Sequence, residues 1–119
     1  MPINIKTKII ILKMTSSFFS KSERDLDGVQ FKSEFESAAD KVLLDVRTPA
    51  EFQSGNLPKS VNIDFMGADF KNKMEKLDKS KTYFVYCRSG NRSGQAVSMM
   101  NKLGLTSFNL VGGIDAWPK

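Results

Sequence analysis

Short apolar runs alternate with amphipathic stretches along most of the chain, and this spacing predicts an α/β domain. Val42-Leu43-Leu44-Asp45-Val46 is apolar towards both sides, as expected of a strand covered on two faces. Thr48-Pro49-Ala50-Glu51 then opens a helix, with Thr48 as N-cap, Pro49 at the first helical position and Glu51 at the third. Val61-Asn62-Ile63 and Thr82-Tyr83-Phe84-Val85-Tyr86 read as further strands, separated by a helix of alternating charge over roughly residues 67–77. A helix over about 92–103 places Ala96, Val97, Met100 and Leu103 on one face, with Gly104 positioned to end it. Phe108-Asn109-Leu110-Val111 is the last strand, and Gly112-Gly113 opens a final helical turn near Trp117. Towards the start, Val29 to Phe31 reads as an edge strand. The next helix is entered at Ser33, where Glu36 completes a capping box. Strands alternating with helices predict three layers: a central, mainly parallel five-stranded sheet with helices on both faces.

Residues 1–26 lack this regularity and are expected to form a flexible extension, with the folded domain spanning 27–119. The apolar run Ile9-Ile10-Ile11-Leu12 stops at Lys13, well short of the about 7–15 residues of a secretory core. It is shorter still than the about 20 of a spanning helix. The expectation is a cytoplasmic protein without a membrane partner, in which Met14 offers an alternative start.

At 119 residues the chain is one domain's worth of sequence, with 18 basic and 13 acidic residues, no histidine and one cysteine, Cys87. Those counts remove serine–histidine and cysteine–histidine couples, imidazole metal sites and an intrachain disulfide. Lys71, Lys73, Lys76, Lys79 and Lys81 are interleaved with Glu75 and Asp78 and lack alternating aromatics. They read as a solvated helix face, not a nucleic-acid site.

Cys87 stands where a strand gives way to a helix, the end of an open parallel sheet at which ligands bind. In Cys87-Arg88-Ser89-Gly90-Asn91-Arg92-Ser93, Gly90 and Asn91 tolerate unusual backbone angles, so the loop can curl and turn its amides inward as an anion nest. The helix start adds its positive end, and Arg88 and Arg92 add two permanent charges. A thiol near pKa 8.5 is only about 3% ionised at pH 7, against about 90% at a pKa near 6. Nucleophilicity falls as the pKa falls, by roughly tenfold over that range, so the net gain in attack rate is only a few-fold. The larger role expected of the loop is to bind an anionic donor and hold the charge left on the sulfur.

Plainer readings stand beside this one. A lone cysteine is commonly a small buried hydrophobe, and arginines are commonly solvated. The strand-end context favours a nucleophile at Cys87 and donor contact for Arg88 and the loop amides of Ser89, Gly90, Asn91 and Ser93. Arg92 is divided between substrate contact and bracing the loop. Asp45 and Arg47 face the same rim, where a supporting hydrogen-bond network is expected before direct catalysis. Trp117 and the pair Met99-Met100 read as core.

Three segments together resemble the rhodanese-like sulfurtransferases. The first is Val42-Leu43-Leu44-Asp45-Val46-Arg47 with Glu51-Phe52, Gly55-Asn56-Leu57-Pro58 and Val61-Asn62-Ile63. The second is the Cys87–Ser93 loop, and the third is Gly112-Gly113-Ile114-Asp115-Ala116-Trp117. The resemblance implies the rhodanese-like three-layer fold and a cycle in which Cys87 takes a sulfane sulfur from thiosulfate or a similar donor. The resulting persulfide would pass that sulfur to cyanide, a thiol or an acceptor protein, and the resemblance implies that no metal or organic cofactor takes part. Two positions depart from the pattern: the family commonly has histidine where Asn56 stands and glycine where Lys59 stands.

Two other functions are weighed against this. Cysteine-dependent phosphatases and arsenate reductases also use a cysteine–arginine loop. The phosphatases place five residues between the two, whereas Cys87 and Arg92 enclose four. One residue is worth about 3.4 Å of chain, so the shorter ring suits one sulfur better than a tetrahedral phosphate. A non-catalytic or sulfur-relay module that binds a partner protein is the other alternative. Such modules often lack the cysteine, which this chain keeps.

Overall fold

The computed structural model describes residues 23–119. Its strands are β1 (Asp25–Leu26), β2 (Lys41–Asp45), β3 (Val61–Asn62), β4 (Thr82–Tyr86) and β5 (Thr106–Leu110). They form one sheet in the order β1-β5-β4-β2-β3, with every pairing parallel. The helices are α1 (Gly28–Ser37), α2 (Pro49–Ser54), α3 (Phe70–Glu75) and α4 (Asn91–Lys102), and a 3-10 turn at Ile114–Ala116 closes the chain. Among the described residues, no helix is long and apolar enough to cross a membrane.

Side chains alternate across the strands, so each face of the sheet owns a separate core. On one face Leu44, Val46, Tyr83, Val85 and Cys87 meet Ala96, Val97 and Met100 of α4 and Phe70 and Met74 of α3. On the other, Leu26, Leu43, Phe84, Tyr86 and Leu110 meet Phe31 of α1, with Phe35 and Trp117 packed against them. Phe31 and Phe35 each stand edge-on to both Phe84 and Trp117, with ring centroids 5.4–6.1 Å apart. These two layers of helix over one parallel sheet are the three-layer α/β architecture expected of the sequence. Cys87 continues the alternation of Tyr83 and Val85, so its side chain turns to the α4 side.

The local signals at α2 act as read. The Thr48 hydroxyl accepts from the Glu51 amide at 3.2 Å, and the Glu51 carboxylate accepts from the Thr48 amide at 3.1 Å. Asn56 donates from its side chain to the Phe52 carbonyl at the end of α2 (2.9 Å). Lys59 adopts φ 65°, a left-handed conformation in which a side chain is strained and glycine is favoured.

The start of the domain differs from the sequence expectation. Val29 to Phe31 are helical, not a strand, because Asp27 caps α1 by accepting from the Gln30 amide at 2.8 Å. Val29 is left 74% exposed, and Ser33, expected as the cap, lies mid-helix with its carbonyl accepting from the Ser37 hydroxyl. The edge strand is instead Asp25–Leu26, paired with Asn109 and Leu110. The sheet therefore takes in two residues assigned to the extension; residues 1–22 of that extension, the Ile9–Leu12 run and Met14 included, lie outside the described residues. The charged helix expected over 67–77 is shorter, at Phe70–Glu75.

Candidate active site

The end of β4 and the start of α4 bring the loop around Cys87 into a tight curl. Gly90 makes the turn at φ 97°, a region open to glycine, and α4 begins at the next residue. The curl points donors at the sulfur. Cys87 Sγ accepts from the Gly90 amide at 3.1 Å, the Ser93 amide at 3.4 Å and the Ser93 hydroxyl at 3.3 Å. Burial pushes the thiol pKa up, and the Ser93 hydroxyl together with the Ser93, Gly90 and Ser89 amides outweighs it, so the thiol lies below its ordinary range. Cys87 is nonetheless 0% exposed, at the floor of the loop.

The Gly112-Gly113-Ile114 segment closes the loop from beneath. The Ile114 amide donates to the Cys87 carbonyl at 2.9 Å. Gly113 (φ 76°) lies so close to the Arg88 carbonyl that any Cβ there would overlap it. The third motif thus acts through backbone approach to the second.

The arginines divide. Arg92 is held by a two-pronged ion pair with Glu51 of α2, at 2.7 and 3.0 Å. That pair lowers the Glu51 carboxyl to about 2, and it raises Arg92. Arg92 is thereby braced, and the cysteine still contributes to raising its pKa, so its charge is felt at the sulfur. Arg88 is exposed on the loop, as are Ser89 and Asn91, whose side chain accepts from Gln95 at 2.9 Å.

Asp45 and Arg47 form a separate buried network beside this loop. Arg47 donates to both Asp45 oxygens at 2.7–3.1 Å and to the Gly55 carbonyl at 2.6 Å, tying the end of β2 to the segment after α2. Hydrogen bonding to Asp45 raises Arg47. Neither side chain has a hydrogen bond to Cys87 among the described residues.

Three residues at the site were not singled out for it from the sequence. Glu51 was read only as a cap and part of a motif, yet it also holds Arg92. Asn109 is 5% exposed in β5; it accepts from the Ser93 hydroxyl at 2.6 Å and donates to Asp25 at 2.9 Å. A polar residue inside the apolar run Phe108–Val111 was the available signal for it; Asp25 carried none. Among the described residues, no three metal-ligating side chains of the His, Cys, Asp or Glu type stand together.

A parallel α/β sheet with one cysteine in a curled amide loop at a strand end defines an α/β cysteine-loop domain. The Rhodanese-like domain family model matches residues 29–119, and the chain belongs to that family. It is 36% identical over 94 residues to the putative sulfurtransferase YtwF of Bacillus subtilis, covering 79% of this chain and 89% of that protein. It is 32% identical over 78 residues to the thiosulfate sulfurtransferase PspE of Escherichia coli, covering 64% and 75% of the two. Among solved structures, a rhodanese-related protein from Thermoplasma volcanium superposes with a TM-score of 0.69 at 32% identity, covering 79% of this chain and 89% of that one.

Proposed function

We propose that the protein is a sulfurtransferase that moves a sulfane sulfur through a Cys87 persulfide. The observation that carries this is the convergence of two amides and one hydroxyl on a single sulfur in a chain without histidine. No base is at hand to take a proton during attack, so the thiol must already be ionised, and the loop favours that form. The thiolate attacks the outer sulfur of thiosulfate; the new S–S bond forms as the old one breaks, and sulfite leaves with the electron pair. A thiophilic acceptor then attacks the outer sulfur of the persulfide and releases the Cys87 thiolate. With cyanide the product is thiocyanate, and with a protein thiol it is a persulfide on the partner.

In this reading Arg88 meets the anionic donor at the mouth, and the amides of Ser89, Gly90, Asn91 and Ser93 hold the charge. Arg92 adds potential while Glu51 braces it. Asp45 and Arg47 support the rim from β2. The closed sulfur requires the loop or its rim to part before a donor reaches it. The expected setting is the cytoplasm, and the thiosulfate preference draws on the likeness to PspE.

Incubation with thiosulfate followed by intact-mass measurement tests the proposal. One added sulfur is expected on the wild type and none on Cys87→Ser, with cyanide then removing it as thiocyanate. The 0% exposure of Cys87 favours a second reading, a non-catalytic module that binds a partner through the same fold. No added sulfur from thiosulfate, polysulfide or a thiosulfonate selects that reading.

A further inference from the structure

The Ser93 hydroxyl has one proton and two acceptors in reach: Cys87 Sγ at 3.3 Å and Asn109 Oδ1 at 2.6 Å. It can serve only one at a time. The orientation of the Asn109 amide is set by its other partners. Its Nδ2 faces the Asp25 carboxylate at 2.9 Å and the Gly90 carbonyl at 3.2 Å, both of which only accept, so Oδ1 is the atom left for Ser93. We infer that Asn109, aligned by Asp25, is a positioning residue that competes with Cys87 for the Ser93 proton and so switches the hydroxyl between two sites as the sulfur gains and loses charge.

A neutral sulfur is a weak acceptor, so with a thiol the hydroxyl proton stays on Asn109. A thiolate is a strong acceptor and draws the proton across, leaving Asn109 Oδ1 without its donor. Asn109 therefore favours the uncharged sulfur. Under the sulfur-transfer reading, on which this meaning rests, the hydroxyl would turn back to Asn109 once Sγ is bonded to the transferred sulfur. It would swing to Sγ again when an acceptor releases the thiolate.

The charged groups around the sulfur are Arg88 on the loop and Arg92 on α4, the latter paired with Glu51 of α2. Asp45 with Arg47 stands at β2 and Asp25 at β1. An Asn109 substitution removes none of them. The Gly90 carbonyl keeps its bond from the Gly94 amide at 3.0 Å, and Asp25 is exposed to water, so no buried group is orphaned.

Thiolate absorbance against pH, taken as the difference from the matched Cys87→Ser protein, reads the acidity of the sole cysteine whether or not sulfur is transferred. Asn109→Ala is expected to lower the thiol pKa by about half to one unit, up to about tenfold more thiolate below the midpoint. Ser93→Ala is expected to raise it, and adding Asn109→Ala to Ser93→Ala is expected to change nothing further. Asn109→Val, suited to a strand, provides the same comparison if the alanine variant does not fold. An unchanged or raised pKa in the Asn109 variant overturns the inference, as does an equal shift with Ser93 absent. Sulfur loading from thiosulfate, measured separately, tests the proposed function, so failure of one is distinct from failure of the other.

Discussion

Glu51→Gln isolates the charge of the ion pair that braces the candidate loop. Glutamine keeps an oxygen for the Thr48 amide and for one arm of Arg92, so the capping box survives, while its amide nitrogen cannot accept from the second arm. The Glu51 carboxyl is held at about 2 against an ordinary 4.5, chiefly by its hydrogen bond to Arg92. Taken at face value that difference corresponds to about 3 kcal/mol. The two side chains are 24% and 29% exposed, and screening by water reduces the expected contribution to about 1 kcal/mol.

A carboxyl whose pKa is depressed by folding contributes stability that is complete above its unfolded value of 4.5. That stability is lost as the pH falls towards about 2. Urea unfolding of wild type and Glu51→Gln should therefore show a gap of about 1 kcal/mol at pH 7 that has mostly closed by about pH 2.5. A gap of the same size at both pH values would refute the ion-pair argument, because loss of shape does not titrate. The same variant leaves the Arg92 charge uncompensated near Cys87, so its thiol should become more acidic.

Three further outcomes are expected. Gly113→Ala should lose about 3 kcal/mol or more in thermal or urea unfolding, because the added carbon overlaps the Arg88 carbonyl and the left-handed backbone strains any side chain; a loss below about 1 kcal/mol would show that the two segments can separate. Lys59→Gly should gain about 1 kcal/mol by relieving the strained φ of 65°, read as a higher urea midpoint at an unchanged slope, and a lower midpoint would contradict it. Arg88→Ala should raise the KM for thiosulfate by roughly threefold to tenfold while sparing a neutral donor, and equal losses would remove its donor-binding role.

What could be read from the sequence was what is decided locally. The capping box at α2 and the curl at Gly90 depend on residues within a turn or two of each other, and both signals sit in adjacent positions. The start of α1 was misplaced because Ser33 with Glu36 matches a capping box, whereas the helix is capped six residues earlier by Asp27. The earlier start also lets Phe31 and Phe35 pack together against Phe84 and Trp117, a contact no local pattern shows. A two-residue strand such as β1 has too little sequence to announce itself and exists through its pairing with β5. The supports of the cysteine loop are likewise remote: Glu51 lies 41 residues from Arg92, and Asp25 lies 84 from Asn109. No window of the sequence holds both members of either pair.

The absence of histidine makes the pH dependence of sulfur loading unusually plain. Burial raises the Cys87 thiol and the surrounding donors more than offset it, so one ionisation below the ordinary thiol range should govern attack. With no histidine in the chain, no other side chain titrates by its ordinary value between about pH 5 and 8. Thiosulfate keeps its charge over that range, whereas cyanide takes up a proton, so the loading half alone should be followed, by release of sulfite. Its rate constant should climb through a single step, with a midpoint below that of an ordinary free thiol, and then stay level. A bell-shaped profile would demand a second titrating group that the loop does not contain. A midpoint at or above that of a free cysteine thiol measured under the same conditions would mean that the amides and the Ser93 hydroxyl fail to offset burial, and the loop would then hold a thiol and not an anion.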